Sequence, residues 1–362
     1  KPASGAAFGK SVKSGELELS LDSPDSGQGG KAAGKAKAKA KGKAAAKAKA
    51  KATADSQEAE AEAGGARGDG PMKPKEIAAL IEASAPYSAS LRPAPAERVA
   101  LKVLSWNVNG LNALLKARPD ALRELVAAEQ PDVVMLQETK LQAKDVDDVK
   151  GRCLPEGWAS AWACSAKTLG YSGVAALWRP GLEASVSEGL GVEEADREGR
   201  CLTLETPDHF VVGCYAPNAG EGLKRLEFRV GQWEPAIAAH VRKLQEKKPV
   251  VYCGDLNVCH KELDLWGNHS PNAKQAGYTP QERQAMKELL EGCELVDSFR
   301  QRHPDVRAFS YWSFRFNGRA KNNGWRLDYC LVSKALAERT HDAFVLPDVM
   351  GSDHCPVGIT LI

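Results

Sequence analysis

From Leu101 onward the chain alternates short apolar runs rich in β-branched residues with longer amphipathic stretches, and each apolar run breaks off at a polar residue. Runs of this length, bounded by turn residues, read as buried strands. They predict strands at 101–105, 132–136, 174–178, 202–205, 210–214, 250–253, 327–332 and 357–361. Helices are predicted at 120–129, across a longer stretch at 223–245 interrupted or kinked at Pro235, and at 280–291. The last is well marked: Thr279 caps it, Pro280 fits its first position, Glu282 completes a capping box and Gly292 follows its end. Such elements fit an α/β (α+β) domain of two packed β-sheets flanked by helices. No internal repeat is visible.

Before Leu101 the pattern is absent. Residues 1–97 hold 16 Lys/Arg against 12 Asp/Glu and so carry +4, which leaves −2 for the remaining 265 residues of a chain with net charge +2. Lys31 to Lys51 contain nine lysines and no acid, and an acidic patch from Asp55 to Glu62 follows. With so few large apolar residues, burial cannot offset the entropy of ordering. Residues 1–97 are therefore expected to be a disordered Lys/Ala-rich extension and linker, with one short helix at 73–83, and 98–362 to be the folded domain. A lysine-rich arm attracts phosphates without regard to sequence. A solubilising or targeting tail is the equally open, plainer reading.

No apolar run approaches 18 residues, so no membrane-spanning helix is expected. The nine cysteines form no C-x-x-C pair and are odd in number, and no apolar signal core opens the chain. This points to a reducing, intracellular setting without structural zinc, with most cysteines acting as small buried hydrophobes.

The polar residues that end the apolar runs carry the chemistry. They are Asn107 and Asn109 in SWNVNG, Glu138 in LQET, Tyr215 and Asn218 in CYAPN, Asp255 and Asn257 in CGDLN, Asp328 in RLDYC, and Asp353 with His354 in GSDHCP. Residues so far apart can serve one reaction only if their strands end at one rim of a sheet sandwich. Carboxylates for a hard cation, amides and a tyrosine hydroxyl for an oxyanion, and an Asp-His end point to metal-assisted hydrolysis of a phosphodiester. Each has a plainer reading. Asp-x-Asn is often a turn that bonds its own backbone, a single His at a strand end is more often structural, and an aromatic stripe such as 309–328 is usually core, the reading favoured for Trp312 and Phe316. Glu138 stands apart, because a carboxylate directly after VVMLQ needs a cation or a basic partner.

These motifs, in this order and together with GYSG at 170–173, TPQER at 279–283 and GWRLDY at 324–329, make the chain resemble the exonuclease III type apurinic/apyrimidinic (AP) endonucleases. That group is a branch of the DNase I-like phosphoesterases, and the likeness runs from about Leu101 to Ile362. Segments 138–150 and 222–226 look most like plant and algal members. The resemblance implies a four-layer sandwich and a Mg2+ cofactor, with Mn2+ as a substitute, bound by Glu138 with help from Asn109 and Asp353 and bordered by Asp255, Asn257 and His354. It implies that Asp255 orients or deprotonates water, that Asn257 positions it, and that Asp328 and His354 act as a pair. Tyr215, Asn218 and Asn107 would clamp the phosphate, Tyr215 being a second candidate for leaving-group protonation.

By the same resemblance, Tyr311, Trp325 and Leu327 line a pocket for an extruded abasic sugar. Around them Arg315, Arg319, Lys321 and Arg326 alternate with aromatics, a pattern that also suits a DNA groove, where basic residues meet phosphates. Departures are Asn109 where animal members carry Asp, Tyr311 where they carry Phe, Glu221 where some insert an Arg, and Leu104 where redox-active members have Cys. The implied activity is hydrolysis 5′ to an abasic site in double-stranded DNA by a monomer, with 3′-repair and 3′→5′ exonuclease action at the same site. Rival readings are a DNase I-like phosphatase or RNA-directed nuclease, and a DNA-binding or redox-regulatory protein. The lysine arm suits a nucleus; plastid or mitochondrion are the alternatives.

Overall fold

The computed structural model describes residues 72–267 and 273–362, so the lysine arm at 31–51, the acidic patch at 55–62 and the disorder expected for both lie outside the described residues, as does the Phe316 side chain. Twelve of the described strands form two six-stranded sheets. The first runs in the order Thr340–Val345, Val357–Leu361, Leu101–Asn107, Val133–Gln137, Val174–Trp178, Ala159–Ala163. The second runs Leu295–Asp297, Asp328–Ser333, Val250–Asp255, Phe210–Tyr215, Cys201–Glu205, Ser185–Glu188. Each sheet has one parallel pair near its middle, 101–107 with 133–137 and 210–215 with 250–255; the other neighbours are antiparallel.

The apolar runs are continuous because both faces of the inner strands are covered. Val103, Val133, Met135 and Ala176 face the second sheet, where Val211, Val251, Cys253 and Val332 meet them. The alternate residues Leu104, Val134, Leu136 and Leu177 face helices Leu111–Ala117 and Ala121–Glu129. Val212, Tyr252 and Leu331 face helices Glu234–Gln245 and Pro280–Gly292 through Ile237, Val241, Met286 and Leu289. Period-two alternation between two apolar environments thus builds the four layers. The nine cysteines are all free, eight of them buried.

All eight predicted strands are present, with ends shifted by at most two residues. Ala159–Ala163 and Ser185–Glu188 escaped prediction because they are edge strands, partly exposed and without an apolar run. Thr340–Val345 escaped because Asp342 interrupts it, and that carboxylate is buried against Arg92 at 2.8 Å. The break expected at Pro235 takes another form. A π-helical stretch, Arg229–Trp233, runs directly into Glu234–Gln245, and Pro235 stands at the junction, so its missing N–H coincides with a change of helical pattern and not with a break. The Thr279 cap is as expected: its hydroxyl accepts from Glu282 N at 3.2 Å and Glu282 Oε2 accepts from Thr279 N at 3.1 Å.

The helix expected at 73–83 spans Pro74–Ala83. The stretch after it, read as linker, is fastened to the domain. Ala85–Pro86 pairs with Val306–Arg307, and Tyr87 packs on Phe299 with ring centroids 5.7 Å apart. Arg92 bonds Glu129 at 2.9 Å and lies 3.7 Å over the Phe344 ring. No helix among the described residues is long and apolar enough to cross a membrane.

Candidate active site

Strand direction brings the polar residues together. The strands 101–107, 133–137, 210–215 and 250–255 end at one rim, whereas 328–333 and 357–361, antiparallel to their neighbours, begin there. Register places Asp328 opposite Asp255, and Asp255 beside Tyr215. The last step of strand 250–255 needs glycine: Gly254 has φ +141°, and a Cβ there would run into the Cys214 carbonyl. Beyond the strands, Asn109, Glu138 and Asn257 all take left-handed backbone, with φ of 47°, 49° and 51°. Asparagine tolerates this region, whereas glutamate rarely visits it, so Glu138 is held there by its surroundings.

Two clusters face each other. In the first, His354 Nδ1 lies 2.7 Å from Asp328 Oδ2, and its Nε2 lies 3.8 Å from Asp255 Oδ2. Burial alone would depress the imidazolium, but Asp328 and Asp255 outweigh it and raise the His354 pKa to about 10. The Asp255 carboxyl is pushed up, first by burial and then by the Asp328 and Glu138 charges, against the pull of His354. Ligand atoms of Asp255, Asp328 and His354 all lie within 4.8 Å of one another, an acidic group able to hold a cation.

In the second cluster, Asn107 Nδ2 donates to Glu138 Oε1 and to Asp255 Oδ2, both at 2.9 Å, so Asn107 joins the two halves of the site from beneath. The Lys140 ammonium lies 3.0 Å from Glu138 Oε2 and also bonds Asn109 Oδ1. Burial works against the Glu138 charge, yet the Asn107 bond, Lys140 and His354 hold its pKa below the usual carboxylate range. Two hard oxygens therefore converge on one cationic point, which is the donor set a divalent ion with few protein ligands requires.

Between the clusters opens a cleft of about 520 Å³, lined by Asn109, Glu138, Tyr215, Asn218, Asp255 and Asn257 from the strand ends. Tyr311, Trp325, Leu327, Asp353 and His354 complete it on the other side, with Gln275 to Gly277 as a further wall. Asn218 Nδ2 donates to Asn257 Oδ1 at 2.8 Å, and Asn257 N donates to Asp255 Oδ1 at 2.9 Å. The Tyr215 hydroxyl is pushed well up, by burial first and then by Glu138 and Asp255, so it is a proton donor at neutral pH. Tyr311 packs on His354 with centroids 4.8 Å apart. Ser352 Oγ donates to the Asn107 carbonyl at 2.8 Å and accepts from His354 N at 3.1 Å, which ties the C-terminal motif to the first strand.

Several residues stand differently from the sequence reading. Asn107 is fully buried and does not line the cleft; its amide bridges two carboxylates, so the phosphate-clamp role carried over to it is not the one its position supports. Arg315 is exposed and is not among the residues lining the cleft. Of the other basic residues interleaved with aromatics, Arg326 is buried between Asp264 and Asp297, and Arg319 donates to the carbonyls of Pro347, Val349 and Ser352. Both hold the cleft wall in place from behind. Trp312 is buried core, whereas Trp325 is half-buried at the cleft. Lys140 and Gln275 were missed; only the position of Lys140 two residues after Glu138 signals it.

A family profile described as the Endonuclease/Exonuclease/phosphatase family matches residues 104–354. An exodeoxyribonuclease of Bacillus subtilis is 45% identical over 262 residues, covering 72% of this chain and 99% of the bacterial protein. The DNA repair nuclease APEX1 of Danio rerio is 44% identical over 263 residues, covering 72% of this chain and 82% of the fish protein. Among solved structures, an AP endonuclease from Leishmania major superposes with TM-score 0.68 at 33% identity, over 80% of this chain and 99% of that one.

Proposed function

The chain belongs to the endonuclease/exonuclease/phosphatase family, and from that premise we propose that it is a DNA-repair AP endonuclease. It hydrolyses the phosphodiester 5′ to an abasic site in double-stranded DNA, leaving a 3′-hydroxyl and a 5′-deoxyribose phosphate, with exonuclease and 3′-repair action at the same site. The observation that carries this reading is the placement of the Asp328–His354 pair and Asp255 across one cleft from Glu138, with Tyr311, Trp325 and Leu327 as an adjoining apolar wall.

The residues divide the work. Asp255, its carboxyl raised toward neutrality and anchored by Asn107, is suited to take a proton from the attacking water, and Asn257 with Asn218 positions that water and a phosphate oxygen. His354, charged and held by Asp328, faces the charge that develops on the phosphate oxygens. Tyr215 supplies the proton for the departing 3′-oxygen. Mg2+, or Mn2+ in its place, would be held by Glu138 and Asn109 with Asp353 on the cleft wall, displacing Lys140, and would supply Lewis-acid polarisation of the phosphate. This pair fits better than the Asp255–Asp328–His354 group, in which Asp328 is already bonded to the imidazole and Asp255 serves the attacking water.

The half-buried Tyr311 and Trp325, with the buried Leu327 beside them, suit a sugar without its base. The protein is read as a monomer. The lysine arm supports a nuclear site and added contacts to DNA phosphates, with plastid or mitochondrion as alternatives. The test is cleavage with and without Mg2+ on an abasic duplex, an intact duplex and inositol phosphates. Metal-dependent preference for the abasic duplex is expected; preference for inositol phosphates would assign a phosphatase instead.

A further inference from the structure

Arg229 carries no role in the chemistry above, yet it is fully buried directly behind the cleft. It opens the π-helical stretch Arg229–Trp233, a local irregularity that often marks a functional position. Its guanidinium spans two loops. Nη1 donates to the carbonyls of Pro217 at 2.9 Å and Asn257 at 3.0 Å, and Nη2 donates to that of Leu256. Those carbonyls belong to, or directly precede, the two residues whose side chains form the Asn218–Asn257 bond of 2.8 Å.

Behind the guanidinium stand Glu234 at 3.4 Å and Glu282 at 3.8 Å. Glu282 Oε2 in turn accepts from Gly277 N at 2.8 Å, and Gly277 lines the cleft. One cation therefore joins three walls of the cleft: 216–218, 255–257 and, through Glu282, 275–279. A planar fork with five donors can serve carbonyls lying in different directions, whereas an ammonium cannot span them.

We infer that Arg229 is a positioning residue for the Asn218–Asn257 amide pair, a buried clamp that fixes the two loops at the spacing the reaction uses. Asn257 takes a left-handed backbone, φ 51°, that asparagine tolerates, so what fixes its distance from Asn218 is the bonding of the Leu256 and Asn257 carbonyls to Arg229. Without the clamp the loop relaxes and the amides separate.

The inference rests on the nuclease reading for its kinetic half only, so the test has two readouts. In Arg229→Lys, hydrogen exchange followed by mass spectrometry should be at least tenfold faster in peptides spanning 214–219 and 255–260, and unchanged in the helix at 121–129. On abasic duplex, kcat should fall at least tenfold with KM within about twofold. The loss should largely vanish when Arg229→Lys is introduced into Asn218→Ala, because a clamp has nothing to position once the pair is broken.

Faster exchange throughout the domain, or an equal loss of kcat in both backgrounds, would overturn the clamp and leave Arg229 an ordinary buried cation. Should Arg229→Lys not fold, Glu282→Gln keeps the helix cap and removes the charge facing the guanidinium. Looser exchange confined to the same two peptides then supports the clamp, and unchanged exchange there overturns it. A wild-type protein inactive on abasic duplex would sink the nuclease reading, while the exchange pattern would still decide the clamp.

Discussion

His354 Nδ1 and Asp328 Oδ2 are 2.7 Å apart, and both side chains are buried. The bond keeps the imidazole charged well above its ordinary range, with pKa about 10. A group whose folded pKa is raised contributes stability in full below its unfolded pKa of about 6.5, and loses it as pH rises through the folded value. Asp328→Asn should therefore destabilise by about 3–5 kcal/mol at pH 6, as expected for a broken buried pair, and by steadily less toward pH 10. Urea unfolding at pH 6, 8 and 10 measures this. A difference independent of pH would show that the pair contributes by packing alone.

Asp255 is buried, with the Asp328 and Glu138 charges opposing its own and His354 and Asn107 favouring it, so its loss should affect chemistry far more than the fold. Asp255→Asn can still accept from Asn257 N and keeps the turn, while the carboxyl that takes the proton is gone. Cleavage should fall by several orders of magnitude with a melting temperature close to wild type, because relief of like charge offsets the lost bond from Asn107. An Asp255→Asn protein that cleaves normally would mean another group is the base.

Glu138 and Lys140 share a contact that a bound cation would break. Glu138→Ala should abolish metal-dependent cleavage while leaving binding to abasic duplex largely intact, because phosphate contacts dominate affinity. Near-normal turnover at saturating Mg2+ would remove Glu138 from the metal site.

The fastened segment at 85–98 separates two deletions that the sequence pattern alone would treat as one. Removing residues 1–71 should leave the melting temperature unchanged and, if the lysines meet phosphates, weaken DNA binding at low salt with a shallower salt slope. Removing residues 1–95 also takes away Tyr87 and Arg92 and leaves the Asp342 carboxylate buried without its cation. That deletion should lower the melting temperature by several degrees. Equal melting temperatures would reduce the segment to a tether.

These predictions draw unequally on what the chain shows by inspection. Strands covered on both faces, such as Val133–Gln137, are legible because each position is apolar for one of two reasons, and a polar residue just past them, such as Glu138, stands out by contrast. Ala159–Ala163 has an open edge and no such demand on its residues. Arg319 and Arg326 look from sequence like a DNA-facing pair, yet both point inward, because carbonyls and carboxylates brought from 264, 297 and 347–352 need cations. Arg229 is illegible for the same reason: the Pro217 and Asn257 carbonyls it serves come from 12 and 28 residues away. Roles met by main-chain acceptors leave no mark on the sequence of the acceptor.

Two tryptophans in the 309–328 segment test substrate recognition against simple packing. Trp312 is 3% exposed, its Nε1 bonds Asn322 Oδ1 at 3.1 Å and Arg319 lies 4.7 Å over its ring. Truncation there creates a cavity, so Trp312→Ala should cost about 3–5 kcal/mol and impair every substrate alike. Trp325 is half-buried; its backbone pairs with Tyr311 and Leu265, and its side chain lines the cleft. Part of its surface faces solvent or substrate, so Trp325→Ala should cost less stability and lower the ratio of abasic to intact duplex cleavage. Melting temperature and that ratio, measured on both variants, separate the two roles. If Trp325→Ala melts as low as Trp312→Ala and keeps the wild-type ratio, Trp325 is structural, and selection of the abasic sugar falls to Tyr311 and Leu327.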